Sequence, residues 1–257
     1  MMTRILFTLS LLGCATITAF SQGVYWESTI SGNADEKTRV DKAYYMPRMV
    51  KIVQGDDGEE VIIRLDKEVM TMVDHSKKAY QQITFAEMEQ FMKGASGEMD
   101  AQMEEMRKQL EQLPEDQRKM AEQMMGSGMM RKEPKVESRN TGETGTISGY
   151  KCTKYMVMMD GKESSTVWAS RDVKEFGVMR KDMEDFARRM KAMMPAGKGG
   201  VTGAMEGIDG FPMQTETAGG WKNVVTKIES RSTPESEFEA PSGYRKDKPM
   251  MMGGEGE

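Results

Sequence analysis

The chain is poor in the residues that most site chemistry requires. It carries one histidine, His75, and two cysteines, Cys14 and Cys152, in 257 residues. Those counts exclude zinc-finger coordination, a disulfide scaffold and any centre built on two imidazoles. Apolar residues make up 38% and aromatics 7%. The apolar share is below what a globular domain usually carries, even with glycine counted apart. Positive charge is not in excess either, since 36 Lys and Arg face 41 Asp and Glu, for a formal net charge of −5. A nucleic-acid partner needs a basic surface to hold phosphates, so none is expected. Gly197-Lys198-Gly199-Gly200 lacks the strand and helix that flank a phosphate loop and reads as linker. What the chain has in plenty is methionine, 29 residues.

The first 21 residues, MMTRILFTLSLLGCATITAFS, read as a leader. Arg4 gives a positive start, Ile5 to Leu12 an apolar core, and Ala19-Phe20-Ser21 a small-residue exit. That is a secretory signal, with an apolar run too short to cross a bilayer as a helix. Cleavage is expected after Ser21, with export to the periplasm or beyond. Leu11-Leu12-Gly13-Cys14 resembles a lipobox, so the alternative is a lipoprotein anchored at Cys14 and associated with the outer membrane. Removal of the leader after Ser21 leaves Cys152 as the lone cysteine, expected to be buried.

From there the chain alternates between strand-like and helix-like blocks. Val24–Ile30, Arg39–Val53, Val61–Asp66, Val69–Asp74 and Ala79–Ile83 are short strand signals separated by turn residues, a meander of antiparallel strands. Thr84-Phe85-Ala86-Glu87 fits a capping box and predicts a helix to about Lys93. Met99, Met103, Met106, Leu110 and Leu113 follow at spacings of 4, 3, 4 and 3, one stripe of a helix, and Pro114 suits the first turn of another. Residues 84–130 therefore read as a helical insertion. Strands resume at Gly145, with Asp160-Gly161 as a hairpin turn. Thr166 and Trp168 share one strand face, and Val167 and Ala169 the other. Val178–Met194 is a second helix, in which Met179, Met183, Phe186, Met190 and Met193 repeat the same spacing. A glycine-rich loop over 198–210, strands at Phe211–Thr217 and Trp221–Ser230, and a short end at Glu237–Ala240 close the chain. Residues 247–257 are expected to be a disordered tail. Strands, helices, strands, helix, strands is the order of an α+β fold.

Nothing here names a reaction. His75 sits at a predicted solvent turn between Asp74 and Ser76, and the carboxylate pairs Glu104-Glu105 and Glu115-Asp116 lie on helices as solvated faces. The chain is read as no enzyme, with no cofactor. Ten methionines lie between Thr84 and Met130 and five between Met179 and Met194. Three readings suit them: core packing, an adaptable apolar groove, or soft-metal binding and oxidant buffering, since thioethers suit Cu(I). Against metal, neither histidine nor cysteine stands near the clusters at Met124-Met125 and Met129-Met130.

Several fragments carry a resemblance when taken in order. Val61–Tyr80, the run Gly149-Tyr150-Lys151-Cys152-Thr153-Lys154-Tyr155 with its Asp160-Gly161 turn and Thr166-Val167-Trp168-Ala169, Gly210-Phe211-Pro212, and Phe238–Tyr244 together resemble the bacterial exported domain-of-unknown-function family forty-four-twelve. That family is similar in layout to LolA-like lipoprotein carriers. The resemblance spans roughly 22–246. It implies a single LolA-like domain, a curved, partly open antiparallel sheet (a half-barrel) with the Met-rich helices covering its concave face and Phe238–Tyr244 as the closing strand. In the carriers that face holds acyl chains. The expected function is thus an envelope protein that binds a lipid, lipoprotein or apolar peptide. The candidate lining is Met99, Met103, Met106, Met179, Met183, Phe186 and Met190 from the helices and Tyr155 and Trp168 from the sheet.

Overall fold

The computed structural model describes residues 23–32, 38–55, 58–94, 97, 105, 108, 134–193, 205 and 207–249. The leader, the helical stripe from Met99 to Leu113, the helix expected from Pro114, and residues 250–257 of the tail fall outside them. The elements run β1 (Gly23–Ser31), β2 (Arg39–Met46), β3 (Met49–Gln54), β4 (Glu59–Arg64), β5 (Val69–Asp74), β6 (Ala79–Thr84), helix α1 over 85–94, β7 (Val136–Ile147), β8 (Tyr150–Met159), β9 (Lys162–Ser170), α2 (Phe176–Met193), β10 (Phe211–Thr217), β11 (Lys222–Arg231), a 3₁₀ turn at Glu235–Phe238, and β12 (Arg245–Asp247).

All twelve strands join one sheet in the order β12-β6-β5-β4-β3-β2-β1-β11-β10-β9-β8-β7. Two meanders, β1 to β6 and β7 to β11, are set edge to edge through the antiparallel pair β1–β11. β12 is the one parallel partner, laid along β6. Among the described residues β12 and β7 remain the two ends of the sheet, which is open, and the fold is α+β.

Turn chemistry sets the hairpins. Ser148-Gly149 and Asp160-Gly161 both take positive φ, the two-residue turn whose twist matches flanking strands. Pro47-Arg48 turns β2 into β3, with Arg48 at φ 64°. β-Bulges at Glu27/Ser28, Asn140/Thr144, Val157/Met158 and Pro212/Gln214 bend their strands. Strands resume earlier than the sequence implied, at Val136 rather than Gly145, because between Val136 and Ile147 β7 is a polar and glycine run with no apolar alternation. As an edge strand it is blunted within its bulge, where Gly142 N donates to Asn140 Oδ1 at 2.8 Å and Glu143 N to Thr141 Oγ1 at 3.2 Å.

Register sorts the side chains into two faces. Val24, Tyr45, Val50 and Ile63 stand abreast on the inner face, and their neighbours Tyr25, Tyr44, Lys51 and Ile62 on the outer. The inner face receives α2, whose Met179 is buried in one cluster with Val24, Tyr45 and Val50. α1 begins at the expected capping box, with Glu87 N donating to Thr84 Oγ1 at 3.1 Å and Thr84 N to Glu87 Oε2 at 2.8 Å.

The outer face is covered by the chain after β11. Phe238, 1% exposed, packs with Met46, Ile62 and Val73, and Tyr44, Met49, Tyr80 and Tyr244 close around them. The expected closing strand at Phe238–Tyr244 is therefore a 3₁₀ turn and a crossing segment, and the last strand is Arg245–Asp247, at the start of the expected tail. A segment that crosses strands to cover a face cannot pair with them. Only where it reaches the β6 edge does its backbone find a free ladder. Arg64, 3% exposed, anchors this cover through Glu235, at 2.6 Å, and Glu239, and also pairs with Asp66 of the β4–β5 turn at 2.6 Å. A guanidinium so buried needs its carboxylates, because desolvation without them costs several kcal/mol.

Phe238→Ala should destabilise the protein by about 3–5 kcal/mol through the cavity it leaves, measured as a fall in the urea midpoint at unchanged slope. The hydrogen bond from Arg64 holds the Asp66 carboxyl below its ordinary value, outweighing burial, which pushes the other way. Its stabilisation is then complete above about pH 4 and disappears as pH falls through the lower folded value. Asp66→Asn should flatten that acid-side decline in urea midpoints taken from pH 7 to pH 2.

Candidate functional site

The stripe on α2 comes from its spacing: Met179, Met183, Phe186 and Met190 fall within one side of the helix. Three side chains of the helix fix which way that side points. Asp182 accepts the Tyr45 hydroxyl at 2.7 Å and Arg48 N at 2.6 Å, holding the helix to the β2–β3 turn. Arg189 Nη1 lies 2.6 Å from Glu68 Oε1 at the β4–β5 turn. Arg180 Nη1 donates to Ile208 O at 3.3 Å. Burial, reinforced by the hydrogen bond to Asp182, pushes the Tyr45 phenol far above its ordinary value, so it stays a donor at any working pH.

Between the helix and the inner face lies a cleft of about 920 Å³, within the range of small-molecule sites. Its aromatic wall centres on Phe211, which meets Trp26 edge-on at 5.5 Å and Phe176 at 5.7 Å. Met179, Met183 and Phe186 line the helix side, and Phe186 also reaches the Phe85 ring of α1 at 6.0 Å. Met205 and Ile208 close one flank, while Ser28, Thr215 and Asn223 supply polar floor from β1, β10 and β11. Asn223 Oδ1 is buried and has no hydrogen-bond partner among the described residues. Arg180, Glu184 and Arg188 complete the lining, with Arg180 Nε on Glu184 Oε1 at 2.8 Å.

Of the expected lining residues the structure brings three together here: Met179, Met183 and Phe186. Met190 is half-buried on the same stripe and lies beyond the lining. Tyr155 is on the inner face but sealed, packed with Val157, Val167 and Ala169 under Ile208. Trp168 does not line the cleft. Alternation in β9 turns Val167 and Ala169 inward and puts Trp168 on the opposite side of the strand, half-buried against residues of the main core cluster and beside Lys154, whose Nζ lies 5.5 Å from its ring centroid. Gly145 is small for this ring, since a Cβ there would stand 2.8 Å from it. Met99, Met103 and Met106 lie outside the described residues. Sequence reasoning missed Trp26, Phe176 and Phe211. Trp26 sits in an alternating strand signal and Phe211 follows a glycine, but their meeting depends on non-local pairing that no local pattern encodes.

Two other sequence expectations resolve on the structure. Cys152 is buried, and burial pushes its thiol above the ordinary value. His75 lies at a turn but is not free in solvent: Nδ1 is 2.8 Å from Tyr244 Oη and Nε2 is 3.3 Å from the buried Glu60 carboxylate, so it ties the crossing segment to the outer face. Among the described residues no group of three His, Cys, Asp or Glu side chains could hold a metal, and no helix is long and apolar enough to cross a membrane.

Sheet, helix and cleft together define an open antiparallel-sheet protein with a helix-walled apolar site. The chain belongs to the family described as Domain of unknown function (DUF4412), whose family model matches residues 116–244, a span that includes β7 to β11 and the whole of α2. No curated protein matches the chain. Among solved structures it is similar to PNGF-II in a C2 space group, at 10% identity and TM-score 0.39 over 89% of this chain and 31% of that one. It is also similar to the MucA/MucB complex of Pseudomonas aeruginosa, at 10% identity and TM-score 0.40 over 88% of this chain and 58% of that one. MucB alone matches at 8% identity and TM-score 0.38, over 88% and 60%. The chain thus spans less than two thirds of the length of each of these chains.

Tyr45→Phe should cost about 1.5 kcal/mol, the worth of a hydrogen bond to a charged group, and Asp182→Ala more, because Arg48 N also loses its acceptor. Equilibrium urea unfolding of the two variants checks both the size and the order.

Proposed function

We propose that this is a non-enzymatic, exported binding protein that takes an acyl chain, the acyl group of a lipoprotein or another apolar partner into the cleft between α2 and the sheet. The observation that carries this reading is the cleft itself, about 920 Å³ with walls of Trp26, Phe176, Phe211, Met179, Met183 and Phe186. The driving force is burial. Each CH₂ removed from water is worth about 0.8 kcal/mol, so a chain of about 14 carbons supplies on the order of 10 kcal/mol before ordering costs. Methionine suits such a wall because an unbranched thioether repacks around chains of different shape. The Met-rich helices act as the adaptable cover over the sheet's inner face. The leader read from residues 1–21 supplies the address, the periplasm or cell envelope, where acyl chains and lipoproteins are at hand. Support for a non-catalytic role comes from His75, whose two ring nitrogens face Tyr244 and Glu60 on the outer face, away from the cleft.

Titration of the delipidated protein with a fluorescent fatty acid should show saturable uptake with a micromolar constant. Met183→Glu should weaken it about tenfold or more, because a carboxylate in the wall must be desolvated when the chain enters. Absence of titratable uptake, together with native mass spectra free of co-purified lipid, would overturn the reading.

A further inference from the structure

The methionines of this site divide sharply by access. Met179 is 3% exposed and Met213 is 0% exposed, both within the core cluster beside the cleft. Met183 and Met205 line the same cleft and are 36% and 39% exposed. An oxidant in solution reaches the second pair and not the first. We infer that Met183 and Met205 form an oxidation-sensitive mouth, at which a peroxide-class oxidant switches apolar binding off without unfolding the protein. The inference rests on the binding reading proposed above.

The chemistry needs only the oxidant. A lone pair of the thioether sulfur attacks one peroxide oxygen, the O–O bond breaks, and an S–O bond forms. Sulfur is oxidised by two electrons, and the other oxygen leaves as water after proton transfer. The product, methionine sulfoxide, is polar, and sulfoxide reductases return it to the thioether.

The geometry makes this a switch rather than general damage. Met183 is held over the cleft because its helix is pinned one residue earlier, at Asp182, to Tyr45 and Arg48. Met205 is tied to the lining by Ile208 N, which donates to Met205 O at 3.3 Å. A sulfoxide at either position has two options. Its oxygen can remain in the cleft, among Phe176, Phe186 and Phe211, and place an acceptor against the incoming chain. Otherwise the side chain turns out to water and withdraws part of the apolar wall. Both outcomes weaken apolar binding, by about tenfold or more if one polar group must be desolvated. The fold is spared because Met179 and Met213, which do hold helix and sheet together, stay sealed.

The test compares the wild-type chain with Met183→Leu/Met205→Leu, which removes the two exposed sulfurs of the cleft lining, each chain being measured before and after oxidation against its own untreated affinity. Both are treated with hydrogen peroxide, mapped by peptide mass spectrometry, and titrated with the fluorescent fatty acid, with thermal unfolding as a control. The expected result is oxidation at 183 and 205 ahead of 179 and 213, a loss of affinity of about tenfold in the wild type alone at little-changed Tm, and recovery after sulfoxide reductase treatment. Equal loss in the double leucine variant, affinity in the oxidised wild type that does not change, or oxidation of Met179 and Met213 at the same rate would each overturn the switch while leaving the binding reading intact. Failure of the untreated wild type to bind the probe would overturn both.

Discussion

The antiparallel pair β1–β11 is the contact on which the rest of the molecule depends. Each meander alone is a run of hairpins with two free edges. Pairing Gly23–Ser31 against Lys222–Arg231 joins them into one sheet of twelve strands. The same pairing assembles the site. Trp26 and Ser28 come from the first strand of one half, and Phe211, Thr215, Asn223 and Val225 from the last two strands of the other. Ser28 stands directly across from Val225 at the bulge, so the floor of the cleft is a cross-strand product of the seam.

The two faces of that sheet are closed by different means, and the difference sets where binding can occur. The outer face is closed by a continuation of the chain, held by Phe238 in an apolar pocket and by carboxylates around the buried Arg64. That cover is dense and ionic, and its partners are all intramolecular. The inner face is closed by a helix clamped at Asp182 and Arg189, between which Met183 and Phe186 stand over open space. A clamp at two turns fixes the helix without filling the volume beneath it. That volume is where the proposed apolar chain would enter, over a sheet whose other face is already packed.

Methionine takes two roles in the structure. Where it is sealed, as at Met88, Met179 and Met213, it packs as any flexible apolar side chain would. Where it borders the cleft, as at Met183 and Met205, its softness and its reactivity are both exposed. Spacing alone treats Met179 and Met183 as equivalent members of one stripe. They differ because Met179 sits over the seam between the meanders, while Met183, one turn further along the helix, is exposed at the cleft.

Local physics determined much of what the sequence conveyed. The 4, 3, 4 spacing on α2 names an apolar stripe because a helix repeats every 3.6 residues, and Asp160-Gly161 names a hairpin because few residues accept positive φ. The capping box at Thr84, the burial of Cys152 and the α+β order were legible for similar reasons. Residue-level alternation also showed that Trp168 and Val167 point to opposite faces. Only the tertiary structure decided which face was inner, because both strand neighbours are apolar and the choice follows from Ile208 settling on Val167 and Tyr155. It also decided that β7 is a strand despite its polar run, that the chain's end crosses the sheet before pairing with β6, and that His75 meets Tyr244. The last two of those outcomes depend on groups far apart in the chain, 169 residues for His75 and Tyr244, and a local pattern carries no information about which distant edge a strand will find.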